Sequence, residues 1–413
     1  MKENVLIIGT VFPEPGSSAA GSRMLQLLQL FRSQGWKITF ASAAADSDFM
    51  TDLQQLGVDK ATIELNSSSF DVFIQQLNPT IVMFDRFMTE EQFGWRVAEN
   101  CPAALRILDT EDLHSLRAAR QKAVKENTFF DPRDLVMEDV AKREAASILR
   151  CDLSLIISSY EMELLRTYFK IDGALLQYIP FLLEEMDEKA KVGWKSFEER
   201  NHFMSIGNFL HAPNKDAVQY LKERVWPLIR KQLPGAQLHV YGAYPSQQVN
   251  EWHKPAEGFY VLGRAADAKE VIGNARVLLA PLRFGAGIKG KLAEAMECGT
   301  PSVTTAIGSE AMHGELSWNG LIEDEPAAFA AAAVKLYTDK TLWEQSQLNG
   351  VQIINACYSK DVFGKQLLER IAALHEHLGE HRRQNFIGAM LLHHTISGTK
   401  YMSKWIEEKK RMY

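Results

Sequence analysis

The sequence predicts an α/β protein of two doubly wound lobes that face one another across a cleft, with helices at its C-terminal end. Three observations predict it. The chain has 413 residues, a length that favours two domains over one. Short, continuous apolar runs alternate with amphipathic segments, the pattern of parallel strands covered on both faces by helices. That alternation stops near residues 180–200 and then restarts. It divides the chain into a lobe over 1–180, a linker over 181–200, a second lobe over 201–357 and a terminal segment over 358–413.

The elements follow in order. Apolar runs predict strands at Val5–Ile8, Ile38–Ala41, Ile81–Phe84, Leu105–Leu108 and Leu153–Ile157. Met24, Leu25, Leu27, Leu28, Leu30 and Phe31 mark a helix after the first strand, and Asp134–Leu149 holds another. The stretch LLEEMDEKAKVGWKSFEER is charged and lacks a strand signal, so it reads as the linker. Beyond it, strands are predicted at His202–Ile206, Gln237–Tyr241, Gly258–Leu262, Arg276–Ala280 and Ser302–Thr305. Helices are predicted at Asn214–Lys231, Asp267–Gly273, Ile288–Glu297 and Pro326–Thr338. Two such lobes place the carboxyl ends of their strands, where ligands bind, at the cleft between them.

Composition narrows the function. Hydrophobic residues at 46% and charged residues at 24% exclude a disordered, collagen-like or disulfide-scaffold chain. A net charge of −6 suits a weakly acidic enzyme and not a protein held to duplex nucleic acid by its overall charge. No run of about 20 apolar residues predicts a membrane-spanning helix. The opening MKENVLIIGTVFPEPG is too short in its apolar part for a signal peptide and reads as a buried strand. Cys101, Cys151, Cys298 and Cys357 lie far apart and form no CxxC or zinc pattern, which predicts a reduced, cytoplasmic chain without a metal.

Four loops carry the candidate chemistry. GTVFPEPGSSAAGSR, Gly9–Arg23, links a strand to a helix, and Gly16 and Gly21 permit close approach of an anion to the helix start. A plain strand–helix turn explains it equally well. RILDTEDLHSLRAAR sets His114 beyond a strand end, where it can hydrogen-bond a substrate or carry a proton. The alternative is a helix start capped by Asp112 with His114 merely nearby. PLRFGAGIKGKLAEAMECGTPSVTTAIGSEAM, Pro281–Met312, is the most informative. Gly285, Gly287 and Gly290 feed a helix start beside Lys289 and Lys291, a set that suits a diphosphate. Glu294 follows, placed to accept from a ribose diol; otherwise Lys291 and Glu294 form an exposed ion pair. SIGNFLHAPNKDAV brings Asn208, His211 and Asn214 to the same cleft, with Asn214 also a possible helix cap.

Together with VLGRAAD, YSKDVFGKQLLERI and DLSLIISSYE, these stretches resemble retaining nucleotide-sugar glycosyltransferases of the GT-B fold, of the group 1 or family 4 type. The resemblance is strongest over residues 201–378. It implies an enzyme that moves a sugar from a nucleotide-diphosphate sugar to a glycan, lipid-linked or other hydroxyl acceptor, without a metal or bound cofactor. It implies that Glu294 grips the ribose, that Gly285, Gly287, Ile288 and Lys289 contact the diphosphate and donor sugar, and that Gly16 faces the diphosphate. Arg264 falls where the family contacts the base, and Glu310 at the acidic position after the next strand. His114 corresponds to a histidine near the sugar and acceptor, as a positioning residue first and a proton carrier second. Two departures stand out. Ala286 occupies the place of the family's first motif glutamate, which touches the donor sugar. Asn208, His211 and Asn214 replace an Arg and a Lys, a charge that Lys289 or Lys291 supplies in this chain. The rival readings are a silent GT-B protein that binds a glycan or partner, and a nucleotide-sugar epimerase.

From residue 380 onward there are seven Lys or Arg against three Asp or Glu, beside the apolar run FIGAMLLHHTI. This tail reads first as a helix packed across the lobes or in a homo-oligomer, and second as a peripheral attachment to an anionic membrane.

Overall fold

A computed structural model of the chain describes residues 3–412, with the side chains of Ile396 and Ser397 left aside; Met1, Lys2 and Tyr413, assigned above to the first lobe and the tail, lie outside it. The first sheet has seven strands: β1 (Asn4–Gly9), β2 (Lys37–Ser42), β3 (Asp59–Thr62), β4 (Ile81–Asp85), β5 (Leu105–Asp109), β6 (Leu153–Ile156) and β7 (Leu176–Tyr178). Their order is β3-β2-β1-β4-β5-β6-β7, all parallel. The second sheet has six: β8 (Phe203–Ile206), β9 (Leu238–Tyr241), β10 (Phe259–Gly263), β11 (Val277–Ala280), β12 (Ser302–Thr304) and β13 (Gly320–Ile322). Their order is β10-β9-β8-β11-β12-β13, again parallel. In each sheet the order reverses beside the first strand, and that switch point opens a crevice at the carboxyl ends.

The continuous apolar runs have a physical cause. Strand side chains alternate between faces, so a strand buried on both must be apolar throughout. In β1, Val5 and Ile7 pack with Leu27, Leu28 and Phe31 of the helix Ala19–Ser33. Leu6 and Ile8 pack on the other face with Phe70, Phe93 and Leu116. Strands β3, β7 and β13 were not predicted. They sit at sheet edges, and their sequences DKAT, LQY and GLI are short and largely part-exposed, so no long apolar run marks them.

Two helices also differ from expectation. A 3-10 turn at Pro132–Met137 precedes the helix Asp139–Arg150, where one helix from Asp134 was predicted. The segment after β8 runs as a helix Ala212–Tyr220, a π turn Leu221–Val225 and a helix Trp226–Gln232. Pro227 has no N–H to donate, and the ladder loosens just before it.

Residues 184–202 hold only turns, but they are anchored. Arg200 is fully buried and donates to Thr300 Oγ1 at 2.6 Å and to the Cys298 carbonyl at 3.1 Å. Trp194 Nε1 donates to the Glu297 carbonyl at 3.2 Å. The chain crosses between lobes twice, side by side: Leu183 N–H donates to Tyr358 O at 2.8 Å and Lys360 N–H to Leu183 O at 2.9 Å. After the second crossing, the helix Lys360–Glu376 returns to the first lobe and buries Leu367, Ile371 and Leu374 beside Ile7, Ile81 and Leu105. The last helix, Phe386–Arg411, packs on the first-lobe helices Phe87–Asn100 and Asp139–Arg150. Among the described residues no helix is long and apolar enough to cross a membrane.

Candidate active site

The two crevices share one cavity of about 600 Å³, lined by both lobes. That volume falls in the range of small-molecule sites.

The second lobe supplies one wall. After β11 the chain turns through Gly285–Lys289 into the helix Gly290–Glu297. Gly287 has φ +62°, and a Cβ there would stand 3.0 Å from Asp112 Cβ and 3.3 Å from Ile157 Cγ2. A Cβ on Gly290 would stand 2.5 Å from Ala19 Cβ. Both glycines are therefore required by contact with the first lobe, whatever ligand they face. The Gly290 and Lys291 N–H groups open the helix without intrahelical acceptors. Lys289 Nζ donates to Gly287 O at 2.7 Å, and Lys291 Nζ to Asn214 Oδ1 at 2.7 Å. Lys291 thus reaches Asn214 and does not pair with Glu294. Asn214 donates to Asn208 O at 2.9 Å, and the helix cap is His211 instead.

Burial moves the charges of this wall toward neutrality. It brings Lys289 down to about 8 against the pull of Glu310, and Lys291 down to about 8 against that of Glu294. Burial, helped by Glu297 and opposed by Lys269 and Lys291, brings Glu294 up to about 7.

The first lobe supplies the facing wall. Glu14 O accepts from the Ser17 and Ser18 N–H groups, each at 3.1 Å, and Ser18 caps the helix Ala19–Ser33 by accepting from Gly21 N–H. Gly16 packs against Arg264, whose Nη2 would lie 2.8 Å from a Cβ there. The Arg264 guanidinium stacks over Phe49 at 4.3 Å. At the end of β5, Asp109 is paired with the buried Arg23 at 3.1 Å. The helix His114–Glu126 is capped by Glu144, which accepts from His114 N–H at 2.6 Å and Ser115 N–H at 3.0 Å. Asp112, expected as that cap, pairs with Arg117 and lies 3.6 Å from His114 Nε2. Burial works to raise Asp112, but Arg117 and His114 outweigh it and hold the carboxyl at about 2. Burial pushes His114 and His211 down to about 4, against Asp112. Both imidazoles are neutral at pH 7, a state that suits hydrogen bonding better than proton carriage.

Gly16, His114, Asn208, His211, Asn214, Arg264, Gly285, Gly287, Ile288, Lys289, Lys291 and Glu294 all line this cavity. Glu310 does not: Arg120 holds its carboxylate through both oxygens, at 2.8 and 2.7 Å. Asp85, Arg86 and Arg117, not expected from the sequence, also line it, together with Glu111 from the strand end that carries His114. Arg86 and Glu111 follow adjacent strands β4 and β5 with φ +72° and +61°, backbone strain that gathers at functional sites. Asp85 is a polar residue at a strand's carboxyl end, a signal that could have found it. Glu161 is a further omission; its Oε1 accepts from Leu113 N–H at 3.1 Å and from Gly287 N–H across the cleft at 2.8 Å.

Residues 200–339 match the family model of glycosyl transferases group 1. This group 1 segment contains every strand of the second sheet. Solved structures extend the likeness to both lobes. Sucrose-phosphate synthase from Thermosynechococcus elongatus superposes with a TM-score of 0.65 at 16% identity, over 90% of this chain and 99% of that one. HepE of Anabaena, in complex with UDP and glucose, gives 0.64 at 12%, over 90% and 100%. A TarM variant of S. aureus, in complex with fondaparinux, alpha-GlcNAc-glycerol and UDP, gives 0.57 at 12%, over 74% of this chain. The chain spans only 58% of that TarM chain. At these identities the likeness is one of fold, and the fold is GT-B. No curated protein sequence matches the chain.

Proposed function

We propose that the chain is a glycosyltransferase that moves a sugar from a nucleotide-diphosphate sugar to a hydroxyl acceptor on a glycan or lipid, with retention of configuration. One observation carries the reading: a helix start, Lys289, Lys291 and Glu294 converge on one wall of a cavity whose other wall begins at Gly16. HepE and TarM are both solved with UDP, which is the class of ligand this wall fits.

The chemistry follows from charge. Breaking the anomeric C–O bond leaves negative charge on the departing diphosphate. The Gly290 and Lys291 N–H groups and the two ammonium groups stabilise it, each preorganised donor contributing about 3 kcal/mol. The acceptor oxygen bonds to the anomeric carbon on the face the diphosphate leaves. Its proton passes to the leaving phosphate oxygen, so no protein base is needed. Neutral His114 orients the sugar or acceptor by a hydrogen bond, and Glu294 accepts from the ribose hydroxyls. These residues supply the charge stabilisation themselves, so we expect activity to survive chelation by EDTA.

Ala286 favours a second reading, a silent binding protein, since it replaces the expected glutamate and packs against the apolar core of the first lobe. A thermal-shift screen of UDP, GDP, ADP and their sugars separates the two. The enzyme reading expects one nucleotide to raise the melting temperature by several degrees, and Lys289→Ala with Lys291→Ala to abolish the rise. No stabilisation by any nucleotide sinks it.

A further inference from the structure

The helix Phe386–Arg411 has two differently built sides. Its inner side is fastened to the first lobe by polar contacts. Arg96 Nη2 donates to Ser403 Oγ at 3.1 Å, Ser68 N–H donates to Glu407 Oε1 at 3.1 Å, and Lys400 pairs with Glu99 at 2.5 Å. Gly388 lies so close to the Leu149 carbonyl that a Cβ would stand 2.0 Å from it. These contacts fix the rotation of the helix about its axis.

The outer side is rich in exposed apolar groups. Phe386, Ile387, Met390, Tyr401, Met402 and Trp405 are 74%, 54%, 43%, 69%, 60% and 60% exposed. At helical spacing five of them fall within an arc of about 100°, which Glu408 shares, and Met402 lies about 60° beyond its edge. Single exposed apolar residues are ordinary, but this cluster is a surface built to be covered.

Charge identifies the cover. At the two edges of the stripe, Lys404 has no ion pair among the described residues and Lys409 lies over the Trp405 ring at 5.2 Å. The chain carries a net −6, yet its last segment holds seven Lys or Arg against three Asp or Glu. The basic end of an otherwise acidic protein therefore coincides with the exposed apolar stripe. Tyrosine and tryptophan beside lysine suit the boundary between headgroups and acyl chains.

We infer that the outer face of the helix Phe386–Arg411 lies in the surface of an anionic lipid bilayer, with Tyr401 and Trp405 inserted and Lys404 and Lys409 against the headgroups. The inference does not depend on the proposed transfer reaction. It is a face that lies on the membrane and does not cross it, in keeping with the absence of a spanning helix among the described residues.

The full chain is tested by co-sedimentation with vesicles of phosphatidylcholine alone and of phosphatidylcholine mixed with phosphatidylglycerol. We expect binding to the mixed vesicles, weakened by high salt, and little to the neutral ones. Each charge reversal of the two, Lys404→Glu and Lys409→Glu, should weaken binding by at least about fivefold. Tyr401→Ser with Trp405→Ser should weaken it by about tenfold or more. An unchanged thermal melt shows that these surface variants fold. Equal sedimentation of the wild type and the Tyr401→Ser, Trp405→Ser variant overturns the inference. So does a dimer in light scattering that this variant converts to monomer, with no vesicle binding by either protein.

Discussion

Lys289 and Lys291 are held at about 8 by burial, and Glu294 at about 7, so three cavity groups titrate near neutral pH. A bound diphosphate favours the ammonium forms and raises both lysine values. The affinity they contribute is full below pH 8 and is lost as pH rises through the raised, bound values. A ribose diol favours the carboxylate form of Glu294 and lowers its value. That affinity is full above pH 7 and is lost as pH falls through the lowered, bound value. Nucleoside diphosphate affinity should therefore peak between about pH 7 and 8, and each group should change it by up to about tenfold per pH unit over its own window. Calorimetric titration from pH 6 to 9 checks this. Lys291→Met should flatten the alkaline limb, and Glu294→Gln the acid one. His114 and His211, held at about 4, should add nothing to either limb.

The elements meet through side chains that sequence neighbours do not reveal. Glu161, on the helix Ser159–Thr167, takes one N–H from the start of the His114 helix and one from the Gly287 turn of the other lobe. Glu161→Ala leaves both N–H groups without a partner, a loss of about 2–5 kcal/mol of stability in urea denaturation. Burial pushes this carboxyl up to about 8 from an ordinary 4.5. The folded state thus keeps a proton the unfolded state has lost, and wild-type stability should decline as pH rises from about 4.5 to 8. Glu161→Ala should remove that slope. The same long reach explains what was legible. Central strands and the glycine–lysine loop are written in consecutive residues, so apolar runs and spacing found them. The edge strands β3, β7 and β13 are held by one neighbour each and need no apolar run. Glu144 and Glu310 act through partners 30 and 190 residues away, His114 and Arg120, so local position offered Asp112 as the cap and the family resemblance set Glu310 among the donor contacts. Arg86 bears a backbone strain that residue type does not display.

At the scale of the molecule, Arg120 is the firmest tie between the lobes. It donates to Gly285 O at 3.0 Å and to both oxygens of Glu310, while its own helix belongs to the first lobe. Removing one member of a buried pair ordinarily costs about 3–5 kcal/mol, because the other charge stays buried alone. We expect the lobes to part at the paired crossings, Leu183 and Ser359, so that Glu310 regains water without either lobe unfolding. The cost of Arg120→Ala should therefore appear as opening and not as melting. We expect a larger radius of gyration in small-angle scattering, a nearly unchanged denaturation midpoint, and an apparent donor Kd about tenfold weaker, since closure must now be driven by the ligand. Adding Glu310→Gln should restore part of the closure, because the charge left behind is then gone. A variant that melts early with the compact radius kept would mean that Arg120 holds up its own lobe, and the lobes would then be tied by the Glu161–Gly287 hydrogen bond and the Arg264–Phe49 stack.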